Sequence, residues 1–262
     1  FTSQKKNFLT RLAFYLSFMA GASLAGMLLL REKFDLIYAT SPPLPAAGAG
    51  LWLSFYKKNP FYFEVRDLWP DSAIELGELK NSFVIEMAKK LEQMCYARAT
   101  KVITVTNGIE KTLKNEKQIP AIKVELIPNG ATIDSFFRDK AGGERLRSDL
   151  GLDNKFIVLY AGILGIAQNL ETLLKAAAEL RHCSDIHFLV AGAGPKKKEL
   201  SSMAARLKLT NLDFIGERPR KDMPKLYSAV DAALVPLAKN DLFKHARPSK
   251  IFDAWSCETP VI

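Results

Sequence analysis

Along most of the chain, short unbroken apolar runs alternate with stretches in which apolar residues recur every three or four positions. The runs have strand length and the stretches have a helical period. From Asp35 onward the pattern therefore predicts repeated βα units around parallel sheets. The predicted strands are Asp35–Thr40, Tyr62–Arg66, Lys101–Thr106 and Lys123–Ile127, then Phe156–Ala161, His187–Ala191, Leu212–Ile215 and Ala232–Pro236. Helices are expected between them, for example over Ser82–Ala99, Asn169–Arg181, Lys196–Leu207 and Met223–Val230. The fold class is α/β.

The pattern breaks once in mid-chain. Pro128-Asn129-Gly130 follows a strand, and an irregular stretch runs through Phe136-Phe137-Arg138 to the Gly142-Gly143 pair before a new βα series opens at Phe156. The 262 residues exceed the usual size of one compact domain, so two are predicted, 1–135 and 136–262. Each half carries fewer strands than a doubly wound sheet usually has. The chain opens on Phe1 rather than Met and closes on Pro260-Val261-Ile262, which reads as the start of a strand. An internal fragment, with both domains incomplete, is expected.

Leu12–Leu30 carries no charge, follows Lys5, Lys6 and Arg11, and precedes Arg31 and Lys33. It is long enough to span a bilayer. It is also rich in small residues, from Ala20 and Gly21 to Gly26, and a strand is predicted immediately after it. A helix lying in the membrane interface or docked on the sheet would accommodate both features. No small-residue cleavage site marks it as a signal peptide.

Composition alters this picture little. At 48% hydrophobic and 25% charged residues the chain is too apolar to be disordered. Cys95, Cys183 and Cys257 lie far apart without metal-ligand spacing, which argues against a disulfide framework or zinc site and fits a reducing compartment. The net charge of +9 is uneven, with Lys196-Lys197-Lys198, Arg206, Lys208, Arg218, Arg220, Lys221 and Lys225 in one region. Such a region either attracts phosphates and anionic headgroups or is a solvated helix face. No aromatics interleave with the lysines, which disfavours nucleic acid.

Three segments suggest chemistry. Arg247-Pro248-Ser249-Lys250-Ile251-Phe252-Asp253 has the layout of a helix start, with Ser249 as N-cap and free amides that suit a phosphate. A capping box would need its acid at Phe252, so Asp253 is available to another partner, such as ribose hydroxyls. Gly162 and Gly165 follow a predicted strand and would let a diphosphate approach the backbone. Gly192-Ala193-Gly194-Pro195 reads as a tight strand-to-helix turn. Arg66 and Asp67 end the second predicted strand and point to the crevice where ligands of such folds bind. They either shape a substrate site or form a structural pair. No hydrolase elbow motif is present, and His182, His187 and His245 lack metal spacing.

The run Pro248 to Ile262 resembles the C-terminal donor-site motif of the family 4 glycosyltransferases of the GT-B fold. Glu64-Val65-Arg66-Asp67-Leu68-Trp69-Pro70-Asp71 resembles the signature of a subgroup that assembles bacterial surface polysaccharides, similar to O-antigen N-acetyl-L-fucosamine transferases. Ile127-Pro128-Asn129-Gly130 with Asp134 and Phe137 resembles the family's interdomain linker, and Gly216-Glu217-Arg218 its base-contacting turn.

The resemblance implies two Rossmann-like domains facing each other across a cleft. Residues 1–135 would lie on the acceptor side and 136–262 would bind a nucleotide sugar. It implies a retaining glycosyltransferase moving a sugar from a nucleoside-diphosphate donor, UDP above all, to a lipid-linked saccharide. The reaction would need no metal or other cofactor, and the setting would be the cytoplasmic face of the bacterial inner membrane. Asp253 matches the ribose-binding acid, while His245 replaces the family's first acid. Ile163 and Gln168 replace its diphosphate-binding Arg and Lys. The cation is then expected from Lys250, Arg247 or Lys244. The candidate catalytic residues are Arg66, Asp67 and His245. The candidate donor-binding residues are Gly162, Gly165, Gln168, Arg218, Arg247, Pro248, Ser249, Lys250 and Asp253. The rival functions are a membrane-associated scaffold that has lost the chemistry and a nucleotide-sugar epimerase of the same fold.

Overall fold

The computed structural model describes residues 8–240 and 243–262. The described residues up to Pro128, with Asn240 and 243–246, form one compact unit, and Asn129–Lys239 with Arg247–Ile262 form another. Each is built on a four-stranded sheet, parallel throughout.

In the first unit, α1 (Phe8–Leu28) precedes β1 (Ile37–Ser41), α2 (Leu44–Tyr56), β2 (Phe61–Val65), α3 (Asp71–Glu75), α4 (Ser82–Arg98), β3 (Lys101–Thr104), α5 (Asn107–Asn115) and β4 (Val124–Leu126). The sheet order is β1-β2-β3-β4. Phe61, Phe63 and Val65 alternate along β2 into one core, where the Phe63 ring lies 5.5 Å from that of Tyr96 on α4. Asn81 and Thr106 cap α4 and α5 by accepting from the amides of Val84 and Ile109, satisfying donors the helix itself leaves unpaired. Glu92 is buried on α4, where it accepts hydrogen bonds from the Tyr96 hydroxyl at 3.0 Å and the Lys117 ammonium at 3.1 Å.

The small residues of Leu12–Leu30 have a packing role. A Cβ on Gly26 would lie 2.6 Å from a methyl of Leu53, and one on Gly48 would lie 2.7 Å from the sulfur of Met19. These glycines bring α1 and α2 into close contact. α1 is thus docked on α2, and among the described residues no helix is long and apolar enough to cross a membrane. Phe14, Leu16, Phe18, Leu24 and Leu28 stay exposed on α1.

The second unit runs α6 (Lys140–Asp149), β5 (Phe156–Ala161), α7 (Glu171–Glu179), β6 (Ile186–Ala191), α8 (Lys197–Arg206), β7 (Leu212–Gly216), α9 (Met223–Ser228), β8 (Ala232–Ala233) and α10 (Lys250–Ser256). The order is β7-β6-β5-β8, and Val261 makes a parallel bridge to Ala233. β5 is buried on both faces. Ile157, Leu159 and Ala161 enter a core shared with α9 and α10, while Val158 and Tyr160 enter one shared with α7 and α8. That accounts for its unbroken apolar sequence.

The Gly142-Gly143 pair is not irregular, as its composition suggests, but lies in the first turn of α6. Asp139 caps that turn by accepting from the Gly142 amide at 2.9 Å. A Cβ on Gly143 would meet the backbone of Ser228 at 2.6 Å, so the glycine lets α6 press against the end of α9. Lys196, first of the basic run, is paired with Glu171 at 3.2 Å and Glu199 at 2.8 Å, as on an ordinary solvated face.

Candidate functional site

Parallel strands bring the loops after β5, β6 and β7 together at the carboxyl edge of the second sheet, where α/β folds bind ligands. The three loops are joined laterally by backbone. The Gly162 amide donates to the Ala191 carbonyl at 2.9 Å, the Gly192 amide to the Gly216 carbonyl at 2.8 Å, and the Leu164 amide to the Ala193 carbonyl at 2.9 Å. Gly162 and Gly192 have φ of 147° and 145°, a region that side chains rarely tolerate. A Cβ on Gly192 would lie 1.8 Å from the Gly162 carbonyl oxygen. Glycine is required there by both conformation and space.

Over these loops lies a pocket of about 400 Å³. Gly162, Gly192 and Ala193 contribute backbone, Ile163 and Gln168 come from the loop after β5, and Glu217 and Arg218 come from the turn after β7. Met223 and Tyr227 of α9 line it, as do Lys250 and Asp253 of α10. Five predicted donor-binding residues, Gly162, Gln168, Arg218, Lys250 and Asp253, thus meet in one place.

Lys250 dominates the electrostatics. Its ammonium donates to the Tyr160 hydroxyl at 3.3 Å and lies 4.3 Å from the centre of that ring. No carboxylate pairs with it among the described residues. Burial pulls it down from an ordinary lysine to about 8, because a desolvated ammonium favours losing its proton. Asp253, one turn along, is pushed up by burial and drawn back by the charge of Arg220. A cation without a counter-ion beside exposed glycine backbone fits an anion, and a carboxylate at the rim fits hydroxyls.

Other predicted residues fall elsewhere. Ser249 is not a side-chain cap. It already has helical angles, is exposed and makes no capping hydrogen bond. Arg247 is exposed, and neither it nor Pro248 or Ser249 lines the pocket, because the helix start turns only Lys250 and Asp253 inward. Gly165 also lies off the lining. A Cβ there would meet the Gln168 amide oxygen at 2.6 Å, so its small size serves the turn that presents Gln168.

Arg66 and Asp67 follow β2 in the first unit. Asp67 accepts from the Ser72 hydroxyl at 2.9 Å. Burial raises its pKa, and the donors Ser72 and the Leu68 amide partly offset that. Lys244 and His245 fall with the first unit, where the Phe243–His245 turn packs on α5. The side chain of His245 lies outside the described residues. Tyr160, Met223 and Tyr227 escape sequence reasoning, since they look like ordinary apolar positions of a strand and a helix. Gly192 and Ala193, read as a tight turn, are both that turn and part of the pocket.

Comparison with known proteins explains this layout. Residues 4–130 match the family model described as glycosyl transferase 4-like domain, and residues 143–262 match that of glycosyl transferases group 1. The chain belongs to the family 4 glycosyltransferases. The chain is 29% identical over 227 residues to the putative colanic acid biosynthesis glycosyl transferase WcaI of Escherichia coli, covering 84% of the chain and 55% of that protein. It is 28% identical over 161 residues to the alpha-D-kanosaminyltransferase of Streptomyces kanamyceticus, covering 60% of the chain and 41% of that protein. Its fold is GT-B. Anabaena HepE, solved with UDP and glucose and again with UDP-glucose, superposes with a TM-score of 0.74 at 21% identity. The match with UDP and glucose bound covers 94% of this chain and 62% of HepE. The matches thus span only part of these proteins' own length, from 41% to 62%.

Proposed function

We propose that the whole protein transfers a sugar from a UDP-sugar to a hydroxyl of a lipid-linked saccharide during assembly of a bacterial surface polysaccharide, with retention of configuration. The observation that carries this reading is the Lys250 ammonium, which lines the glycine-backed pocket and has no carboxylate partner among the described residues. A diphosphate would supply the missing charge, and Asp253 would accept hydrogen bonds from the donor ribose. HepE, which shares the fold, was solved with UDP, and WcaI carries a name from polysaccharide synthesis.

During transfer the bond between the anomeric carbon and the diphosphate oxygen breaks. The acceptor oxygen bonds to the same carbon on the same face, and its proton passes to the leaving diphosphate. Charge accumulates on that diphosphate, and a fixed ammonium beside it lowers the barrier. Glu217 and Arg218 line the same pocket, and their turn is assigned to the base. Arg66 and Asp67 are assigned to the sugar or acceptor side, and no metal is required.

A location at the cytoplasmic membrane face, with peripheral attachment, is supported by the apolar groove between α1 and α2. Leu24, Met27, Trp52, Phe55 and Tyr56 line it, and Lys57 and Lys58 follow directly in sequence. An apolar strip beside cations suits anionic headgroups.

The test is release of UDP, by the complete protein, from UDP-sugars offered with lipid-linked saccharides. Acceptor-dependent release that falls in Lys250→Met supports the reading. UDP binding with no release for any acceptor would indicate a scaffold, and conversion of the UDP-sugar without acceptor would indicate an epimerase.

A further inference from the structure

Tyr160 connects two parts of the pocket without lining it. It is fully buried near the carboxyl end of β5. Its hydroxyl donates to the Ile163 carbonyl at 2.6 Å, which pins the loop after β5. A hydroxyl has one proton and two lone pairs, so with its proton given to Ile163 it can only accept from Lys250, 3.3 Å away. The ring faces the same ammonium at 4.3 Å, adding attraction between cation and π-cloud. The ammonium is thereby held 2.6 Å from where a Cβ on Gly162 would sit.

Resting on the reading of this pocket as the donor diphosphate site, we infer that Tyr160 is a positioning residue. One hydroxyl ties the Ile163 carbonyl to the Lys250 ammonium, so that loop backbone and charge are already in place when the donor arrives. The physical need follows from where the cation comes from. Lysine is a point charge on a flexible stem, and here it extends from a helix to a loop whose own positions, Ile163 and Gln168, carry no charge. Restraining it beforehand reduces the ordering that the ligand must otherwise supply.

The consequence is measurable as a pH profile. The charged and titratable groups around Lys250 are Tyr160 on β5, Glu217 and Arg218 after β7, Tyr227 on α9, and Asp253 on α10 with Arg220 near it. Burial pushes both tyrosines up, away from the range in which the lysine titrates. UDP affinity of the complete protein should therefore fall as pH rises through about 8. That lies above the second ionisation of a phosphate, near about 6.

Calorimetric titration with UDP across this range tests the inference. Tyr160→Phe keeps the ring and removes the hydroxyl, and melting without ligand verifies that the variant is folded. It should raise the Kd at about pH 7 by roughly 5- to 10-fold, the scale of one ordinary hydrogen bond, since the hydroxyl acts on UDP only through Lys250. It should also move the midpoint of the pH profile downward, because the ammonium has lost an acceptor. In a Lys250→Met background the same change should alter Kd by less than about 2-fold. Parent-like affinity and midpoint in Tyr160→Phe would overturn the inference. So would an equal loss with and without Lys250, which would make Tyr160 a loop-building residue only. If Lys250→Met itself binds UDP like the parent, the donor-site reading fails instead.

Discussion

Replacing Lys250 with methionine should make the protein more stable and a poorer binder at once. The side chain lies against Tyr160 with no counter-ion among the described residues, and burial holds its pKa at about 8, against 10.5 for an ordinary lysine. At roughly 1.4 kcal/mol per pH unit that gap corresponds to about 3 kcal/mol. Residual solvent contact and the ring's attraction reduce it to about 1–3 kcal/mol. The sign follows from proton counting. Between about 8 and 10.5 the unfolded lysine holds its proton while the native one has lost it, so native stability rises with pH there. Below 8 both are protonated and the full penalty is present. Methionine has similar length and no charge, so at pH 7 the variant should melt a few degrees higher. It should also lose the rise of stability above pH 8. An ammonium–phosphate hydrogen bond contributes about 1.5–3 kcal/mol, so Kd for UDP should rise by about 10- to 100-fold. Thermal melting across pH and calorimetric UDP titration check the two halves. A lower melting temperature, or parent-like UDP affinity, would refute the reasoning.

Three further outcomes follow from the same geometry. Asp253→Ala should weaken UDP binding by about 10-fold or more through loss of the ribose acceptor, with the melting temperature nearly unchanged, since the carboxylate is a pocket group rather than a core one; equal affinity in both proteins would remove the ribose assignment. Gly192→Ala places a Cβ 1.8 Å from the Gly162 oxygen at a φ of 145°, and should destabilise the second unit by about 3 kcal/mol or more while abolishing UDP binding; a folded, binding-competent variant would show that the loops can separate. In the first unit, Lys117→Ala leaves Glu92 buried beside Tyr96 without its cation, and chemical denaturation should register a loss of about 3 kcal/mol, with a near-neutral result indicating that water replaces the ammonium.

The elements were legible because their cause is local. All eight strands form close to where apolar runs place them, since a strand buried on both faces must be apolar throughout, as β5 is. Gly162, Lys250 and Asp253 were legible as well, because a glycine after a strand and a lysine and an acid one turn apart each carry their chemistry in sequence. The sequence could not show which face of the α10 start turns inward, and so it grouped Arg247, Pro248 and Ser249 with Lys250. Ser249 was misassigned as a cap because capping depends on backbone angles, and its own are already helical.

The sequence by itself determined two βα series and their parallel order, and the family resemblance added the expectation of a cation from outside the uncharged Ile163 and Gln168. Only the tertiary structure decided that Lys250 lines the pocket against Tyr160, ninety residues earlier in the chain. It also decided that Gly192 serves the pocket as well as its turn, and that the small residues of α1 pack against α2. The reason is the same in each case. Periodicity records which face of an element is buried, whereas a contact between distant residues depends on how separately folded elements meet, and that information is present only in three dimensions.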